Sequence, residues 1–338
     1  MRGMTRRLAA ASVIAGVAVL GASCATNTAP QGAGHPSPVA AATRALPKPF
    51  TIVARYSAKS LGLEHPASLA IGPDGNLYVT DLSQRVTVIS PAGKVLRRWG
   101  QTGAGPGEFR FIPSDPTVPT DVHASITVAP DGEVYVSDSG NGRVQVFTPD
   151  GRFIRKFGRI GSGKGQFLLP YDLVVDKSGN VYVVDDQAET LTKFSPAGKV
   201  IWEIGSGVAT DPDLNGHFTV TSFDAHGRLV VMNNDQTRVL YIDPGGHKVD
   251  AFSPSTAGSP TGAMCFATVD AAGNTYVSGC DPDTGPTSVY NVAHRLIARW
   301  PGTPYALFRS PVFGPHDEVF ALATDGSILK LHITVPGA

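Results

Sequence analysis

Neither sign of charge is in excess in this chain: Lys plus Arg and Asp plus Glu each number 28, and together they make only 17% of the 338 residues. A surface built to hold nucleic acid normally carries a basic surplus, so the balance argues against nucleic acid as a general partner and leaves only a local patch open. Cysteine is scarce. There are three, Cys24, Cys265 and Cys280, and none stands with a histidine in a pattern that suggests a nucleophile. Helical periodicity is missing beyond the N-terminus, which favours one all-β domain over an α/β one. The apolar run at residues 8–20 is too short for a membrane-spanning helix.

What the chain has in quantity is glycine, 38 residues, and proline, 27. They punctuate one phrase written six times: GNLYVTD at 75–81, GEVYVSD at 132–138, GNVYVVD at 179–185, GRLVVMN at 227–233, GNTYVSG at 273–279 and DEVFALA at 317–323. Self-similarity at such a period marks a repeat architecture. In the clearest copy, residues 126–129 are apolar, Pro130-Asp131-Gly132 turns, and residues 134–137 form a second run. Residues 138–142 loop, residues 144–147 form a third run, Thr148-Pro149-Asp150-Gly151 turns, and residues 153–157 form a fourth. This spacing predicts a four-stranded antiparallel meander. Its second strand is apolar on consecutive residues, as in Val181-Tyr182-Val183-Val184, so both faces are expected to be covered. Sheets stacked on both faces by their neighbours are propeller blades.

The positions equivalent to Tyr78 are Tyr135, Tyr182, Val230, Tyr276 and Phe320, which gives six blades. The last unit holds only three strands of its own. Residues 49–56, which belong to no other unit, are expected to supply its fourth, so that the two ends of the chain close the ring without an open edge. The fold class expected is all-β, a six-bladed β-propeller.

DGEVYVSDSGNGRVQVFTPDGRFIRKFGRIGSGKGQF at 131–167 closely resembles the NHL repeat, as does the stretch at 74–109. The third copy is good and the last three are degenerate, and together the resemblance covers residues 50–335 almost completely. It implies the propeller fold. Function is left open by it, because such propellers include ligand-binding ectodomains, protein and RNA binders and some lyases.

Arg2, Arg6 and Arg7, the apolar run and then Gly21-Ala22-Ser23-Cys24 form a charged, an apolar and a small-residue segment in the order of an export signal. The segment resembles a bacterial lipoprotein signal, in which the cysteine becomes lipid-modified; Leu20 is displaced by one position from that pattern. Residues 1–24 are therefore read as a signal with Cys24 as the lipidation site, ordinary cleavage being the alternative. Residues 25–47, poor in charge and bulk, are a disordered tether, and residues 48–338 are the propeller. The expected location is the outer side of the cytoplasmic membrane, or secretion. An oxidising compartment permits Cys265 and Cys280 to pair, although counting through the turn at 270–273 places Cys265 nearer Ser278, and two separate thiols are the alternative.

In such a meander the first and third turns share one face of the disc, and the second turns and blade connections share the other. The long elaborations at 110–123, 206–217 and 279–286 all fall on the second face, where binding is expected. Residues entering the channel there include His123, Tyr171, Asp172 and Arg309, with Asp172 and Arg309 three blades apart. Asn233-Asn234-Asp235 at the rim offers several oxygens, which hard cations require. Asp81, Asp138 and Asp185 with Arg85, Arg143 and Lys193 are expected to be structural ion pairs and loop caps. Residues 161–165, GSGKG, lack the Ser or Thr and the helix of a phosphate loop. The family's amidating lyases hold zinc on three channel histidines, and related lactonases hold calcium or zinc on Glu, Asn and Asp. The histidines here do not align for such a centre, and only Asp172, Asn233 and Asp235 are candidate ligands. The expectation is a monomeric binding protein for an envelope protein or a small polar ligand, without cofactor and with no membrane contact beyond the anchor. A metal-dependent lyase or lactonase-like hydrolase acting in the channel is the alternative.

Overall fold

The computed structural model describes residues 46–111, 124–205, 209–255, 264–279, 286–301, 311–315 and 318–335. Six four-stranded antiparallel sheets stand in a ring. Blade 1 runs outward from Pro66–Ile71 through Leu77–Asp81 and Arg85–Ile89 to Val95–Trp99. Blades 2 to 5 repeat the order from inner strands Ile126–Val128, Pro170–Val175, Phe218–Phe223 and Met264–Val269 to outer strands Phe153–Phe157, Val200–Gly205, Lys248–Phe252 and Leu296–Trp300. Blade 6 takes Val312–Phe313, Val319–Leu322 and Ile328–Ile333 from the end of the chain and Phe50–Tyr56 from its beginning. The expected closure is therefore present, and every strand of the ring lies within the compact unit Ala45–Ala338.

The second strands of blades 1 to 5 are buried along their full length, as their unbroken apolar runs require. Tyr78, Tyr135, Tyr182 and Tyr276 are among the largest fully buried side chains. Three of their phenols donate to an acid of the first turn: Tyr135 to Glu133 at 2.9 Å, Tyr182 to Asp176 at 3.2 Å and Tyr276 to Asp270 at 3.1 Å. A buried hydroxyl is thus partnered, which removes most of its burial cost.

The seams between blades use the third turns. Gly151 has φ +89°, and a Cβ there would lie 2.6 Å from the Trp99 ring of the preceding blade. Glycine serves twice at this position, taking the left-handed conformation and admitting the aromatic ring. Polar clasps repeat beside it, each reaching the proline carbonyl of the next blade's turn. Tyr56 Oη donates to Pro91 O at 3.0 Å, Arg97 Nη1 to Pro149 O at 2.9 Å and Arg155 Nε to Pro196 O at 3.1 Å. Lys193 Nζ and Trp202 Nε1 both reach Pro244 O, at 2.9 and 3.0 Å.

Candidate functional site

All six inner strands face one central cavity of about 310 Å³. Its lining begins at the level of Ser68, Ser125 and Asp172 and ends at Ile71, Val128, Phe223, Val269 and Phe313. Ser68, Ser125 and Asp172 lie toward the connection-bearing face, Thr127, Ser222 and Thr268 form a second polar level two residues deeper, and the last layer at the face of tight turns is apolar. An inner strand has no neighbour on its channel side, so its backbone groups there need other partners. Hydroxyls of the preceding blade supply them. Ser68 Oγ accepts from Ile126 N at 3.3 Å, Ser125 Oγ from Leu173 N at 3.4 Å and Ser222 Oγ from Val269 N at 3.1 Å. In the opposite sense Ser137 Oγ donates to Tyr171 O at 3.3 Å, and Thr80 and Thr219 donate to the carbonyls of Ala124 and Cys265.

Asp172 stands in blade 3 where Ser68 and Ser125 stand in blades 1 and 2. The alignment follows from the adjacent pairs Leu69↔Val79, Ile126↔Val136 and Leu173↔Val183. Asp172 is 1% exposed, and among the described residues lining the cavity it alone has an ionisable side chain. Tyr171 beside it is half-buried, and both fall in the irregular stretch between Pro170 and Leu173 where the ladder with the second strand slips. His123 and Arg309 lie outside the described residues, as does Cys280. Cys265 is disulfide-bonded and occupies a bulge between Met264↔Gly279 and Phe266↔Ser278, so the ladder does not fix the direction of its side chain as simple counting would.

Asn233, Asn234 and Asp235 do not converge on one point. Asn233 is fully buried and donates to Asp213 O and Asn215 O, both at 2.9 Å. It is the blade-4 counterpart of Asp81 and Asp185, since it pairs with the first residue of its inner strand as they do. Asp235 lies at the exposed rim, where it accepts from His217 N and faces His217 Nδ1 at 3.1 Å. Burial opposes protonation of His217, but the bond to Asp235 and the charges of Asp186 and Glu189 outweigh it and raise the imidazole above its ordinary value. Asn234 gives its backbone N–H to His217 O at 2.9 Å, and its buried Oδ1 has no hydrogen-bond partner.

The connector before blade 4 is bolted down by residues that sequence reasoning did not single out. Its 3₁₀ turn Pro212–Leu214 carries Asp213, 4% exposed, which binds Arg238 at 2.8 Å and Lys248 at 2.6 Å. Lys248 also holds Asp211 at 2.7 Å and pulls that carboxyl below its ordinary range. The repeated aspartates are loop caps. Asp81 accepts from Ser83 N at 2.9 Å, and Asp185 from Leu168, Leu169 and Ala188 N–H groups at 2.6 to 3.0 Å. Only Asp138 also has its arginine, Arg143 Nε at 2.6 Å, whereas Arg85 reaches Ser83 Oγ and Lys193 sits over the Tyr182 ring.

Among the described residues no three His, Cys, Asp or Glu side chains could hold a metal ion together. His65, His226, His247 and His332 are exposed, and His294 stacks on Phe252 at 4.4 Å at the seam of blades 4 and 5. These described residues present no donor set for calcium or zinc.

The DUF5128 family, described as a 6-bladed beta-propeller, matches residues 123–206. Human NHL repeat-containing protein 3 is 26% identical over 202 residues, 44% of this chain and 55% of that protein. Mouse peptidyl-glycine alpha-amidating monooxygenase is 35% identical over 133 residues, 36% of this chain and 13% of that protein. The Protein brain tumor of Drosophila melanogaster is 23% identical over 181 residues, 53% and 16%. The chain thus spans between about an eighth and about half of the length of these relatives. Among solved structures, virginiamycin B lyase from Staphylococcus aureus aligns at TM-score 0.56 and 10% identity, covering 84% of this chain and 100% of that one. A streptogramin B lyase aligns at 0.57 and 11%, covering 85% and 98%. At such identities the likeness is one of fold. Six meander sheets in a closed ring, the phrase repeated in each, and relatives that include an NHL repeat-containing protein agree: the chain is a six-bladed β-propeller with repeats similar to the NHL repeat.

Proposed function

We propose that this is an exported, lipid-anchored propeller, tethered through Cys24, that binds a small polar ligand or an envelope protein at its connection-bearing face. The observation that carries the reading is the polarity of the channel. Its described lining holds one carboxylate, Asp172, level with the hydroxyls of Ser68 and Ser125, with Thr127, Ser222 and Thr268 two residues deeper and an apolar layer at the far end. A few convergent polar groups over an apolar floor, in a concave site framed by rigid strands, is the common form of a small-ligand site. Tyr171 and Asp172 in blade 3 and Asn233 and Asn234 in blade 4 are the residues assigned to recognition, Asn233 acting by holding the connector in place, and His123 and Arg309, outside the described residues, are assigned with them from the sequence alone.

A second reading, a lyase working in the same channel, is favoured by the fold likeness to streptogramin B and virginiamycin B lyases and by the stretch similar to an amidating monooxygenase. Metal content separates the two. The propeller purified without chelator or histidine tag is measured by mass spectrometry, then incubated with quinupristin, with which a virginiamycin B lyase has been crystallised. Less than a tenth of an equivalent of any metal and intact quinupristin leave the binding reading standing. A full equivalent of zinc or calcium, with cleavage lost in Asp172→Asn, replaces it with the lyase.

A further inference from the structure

The outer wall of the ring is not uniform. Every outer strand carries an aliphatic residue at a bulge, where the ladder to its neighbour skips one residue, and on every blade but the fifth that residue is exposed; a second position follows two residues later on the same strand. On the three consecutive blades 6, 1 and 2 that second position is basic: Val53 with Arg55, Leu96 with Arg98, and Ile154 with Lys156. The corresponding residues of blades 3 and 4 are Ile201 with Glu203 and Val249 with Ala251. Blade 5 has Ile297 with Arg299, whose guanidinium turns to Ser288 and Ser255.

The aliphatic partners are open to solvent: Val53 is 62% exposed, Leu96 41%, Ile154 39%, and Ile160 next to the blade 2 wall 66%. Arg98 meets a backbone carbonyl, Leu61 O, which leaves its charge unneutralised. Arg55 is paired with Asp325, and the exposed Lys48 and Lys59 flank its strand in sequence, Lys48 over the Trp300 ring and Lys59 in the short helix Ala58–Leu61. The asymmetry extends to the whole sequence. Counted by blade, residues 46–165 and 311–338, which build blades 6, 1 and 2, hold fifteen basic and thirteen acidic residues, whereas residues 166–310, which build blades 3 to 5, hold nine and fifteen. A chain without net charge thus has an acidic side, blades 3 to 5, and a side that is not acidic. Guarding of exposed sheet edges explains charge on any outer strand, but not its concentration on three neighbours.

We propose that the wall of blades 6, 1 and 2 docks on an anionic lipid bilayer, its aliphatic residues entering the headgroup layer and its basic residues pairing with lipid phosphates. Alternating aliphatic and basic residues fit such a surface better than an apolar protein groove or a purely ionic polymer, because both energy terms are met at once. The chain also enters the ring on this wall, through Phe50–Tyr56, so a tether to the membrane would draw this side toward it. In that respect the inference rests on the exported, anchored reading, and the test keeps the two apart.

The chain from residue 46 onward contains all six closed blades but neither Cys24 nor the apolar run, so any vesicle affinity belongs to the wall. Co-sedimentation is measured with vesicles of 30% phosphatidylglycerol in phosphatidylcholine and with phosphatidylcholine alone. Binding is expected only to the anionic vesicles, weakening as salt rises. At about fivefold per basic residue near the surface, the double variant Arg98→Glu/Lys156→Glu loses roughly thirtyfold or more, and Leu96→Ser/Ile154→Ser also loses binding. The control Lys199→Glu/Ile201→Ser, on blade 3, is expected to bind as the parent does. Absence of binding, equal binding to neutral vesicles, or an equal loss in the control overturns the proposal. So does a salt-sensitive dimer abolished by the same charge reversals without vesicle binding, which would make the acidic side of a second copy the occupant. Failure of Cys24 to carry lipid in the full chain would refute the anchor and leave these results unchanged.

Discussion

Arg143→Ala tests what the repeated Asp and Arg positions do. The Arg143 and Asp138 side chains are 6% and 0% exposed. The carboxylate accepts from Arg143 Nε at 2.6 Å, Arg110 N at 2.7 Å, Asn141 Nδ2 at 3.0 Å and Gln145 Nε2 at 3.0 Å. The rest of the guanidinium donates to Ala104 O, Gly105 O and Glu108 O at 2.7 to 3.0 Å, pinning the connector between blades 1 and 2. Burial pushes the Asp138 carboxyl upward in spite of these bonds, so the ionised form is held at a cost and the arginine offsets it. Removing one partner of a buried pair leaves an uncompensated charge and costs about 3–5 kcal/mol. With an unfolding entropy near 0.6 kcal/mol per kelvin for about 290 residues, the expected fall in Tm is roughly 5–8 °C.

The same repeat position supplies the control. Arg85 in blade 1 is half-buried and reaches only Ser83 Oγ, at 2.8 Å, so Arg85→Ala should cost under about 1 kcal/mol. Thermal and urea unfolding followed by circular dichroism at pH 7, with a double-mutant cycle adding Asp138→Asn, gives the coupling directly. A coupling above about 1.5 kcal/mol is expected for residues in one buried network. A fall in Tm of 2 °C or less for Arg143→Ala, or strict additivity in the cycle, would refute the reasoning.

Alkali should unfold the ring before its tyrosines titrate. Burial, aided by an adjacent acid, raises Tyr78 from 10.0 to about 12, and Tyr135, Tyr182 and Tyr276 higher still. The unfolded chain releases these protons first, so stability is unaffected below pH 10 and falls above it; phenolate absorbance rising smoothly with the far-ultraviolet signal intact would contradict this. For His217, raised by Asp235, the folded state binds the proton more tightly, so its contribution is fully present below the unfolded value of 6.5 and is lost as pH rises through the folded one. Proton NMR should show it titrating above 6.5, with Asp235→Asn lowering it; an unchanged midpoint in that variant rules out the pairing. Gly151→Ala faces both φ +89° and Trp99 at 2.6 Å, whereas Gly227→Ala faces φ +74° with nothing within 4 Å. The first should cost about 2 kcal/mol more than the second, and equal Tm values for the two variants would deny the close approach.

The fold was legible because its signals are local. Gly75, Gly132, Gly179 and Gly273 all take positive φ in the turns where the sequence places them, and the ladder positions of Tyr78, Tyr135, Tyr182 and Tyr276 repeat from blade to blade. Closure by residues 49–56 followed from counting, since a three-stranded last unit needs a partner for its open edge. The seams were not legible, for a physical reason. Arg97 finding Pro149 O, or Ser125 Oγ receiving Leu173 N, depends on how one blade is set against the next, and no residue's own neighbourhood in sequence carries that information. Asn233 lies between these cases. Its spacing alone suggests a cation ligand beside Asn234 and Asp235, but aligned with Asp81 and Asp185 by ladder register it becomes the loop cap of blade 4, an amide where an acid would have stood beside Asp213. An ionised acid there could not donate to the carbonyls of Asp213 and Asn215 that the amide holds at 2.9 Å. The departure from the repeat is therefore a consequence of the inserted connector, and the sequence change that looked like a site is the mark of how that connector is held.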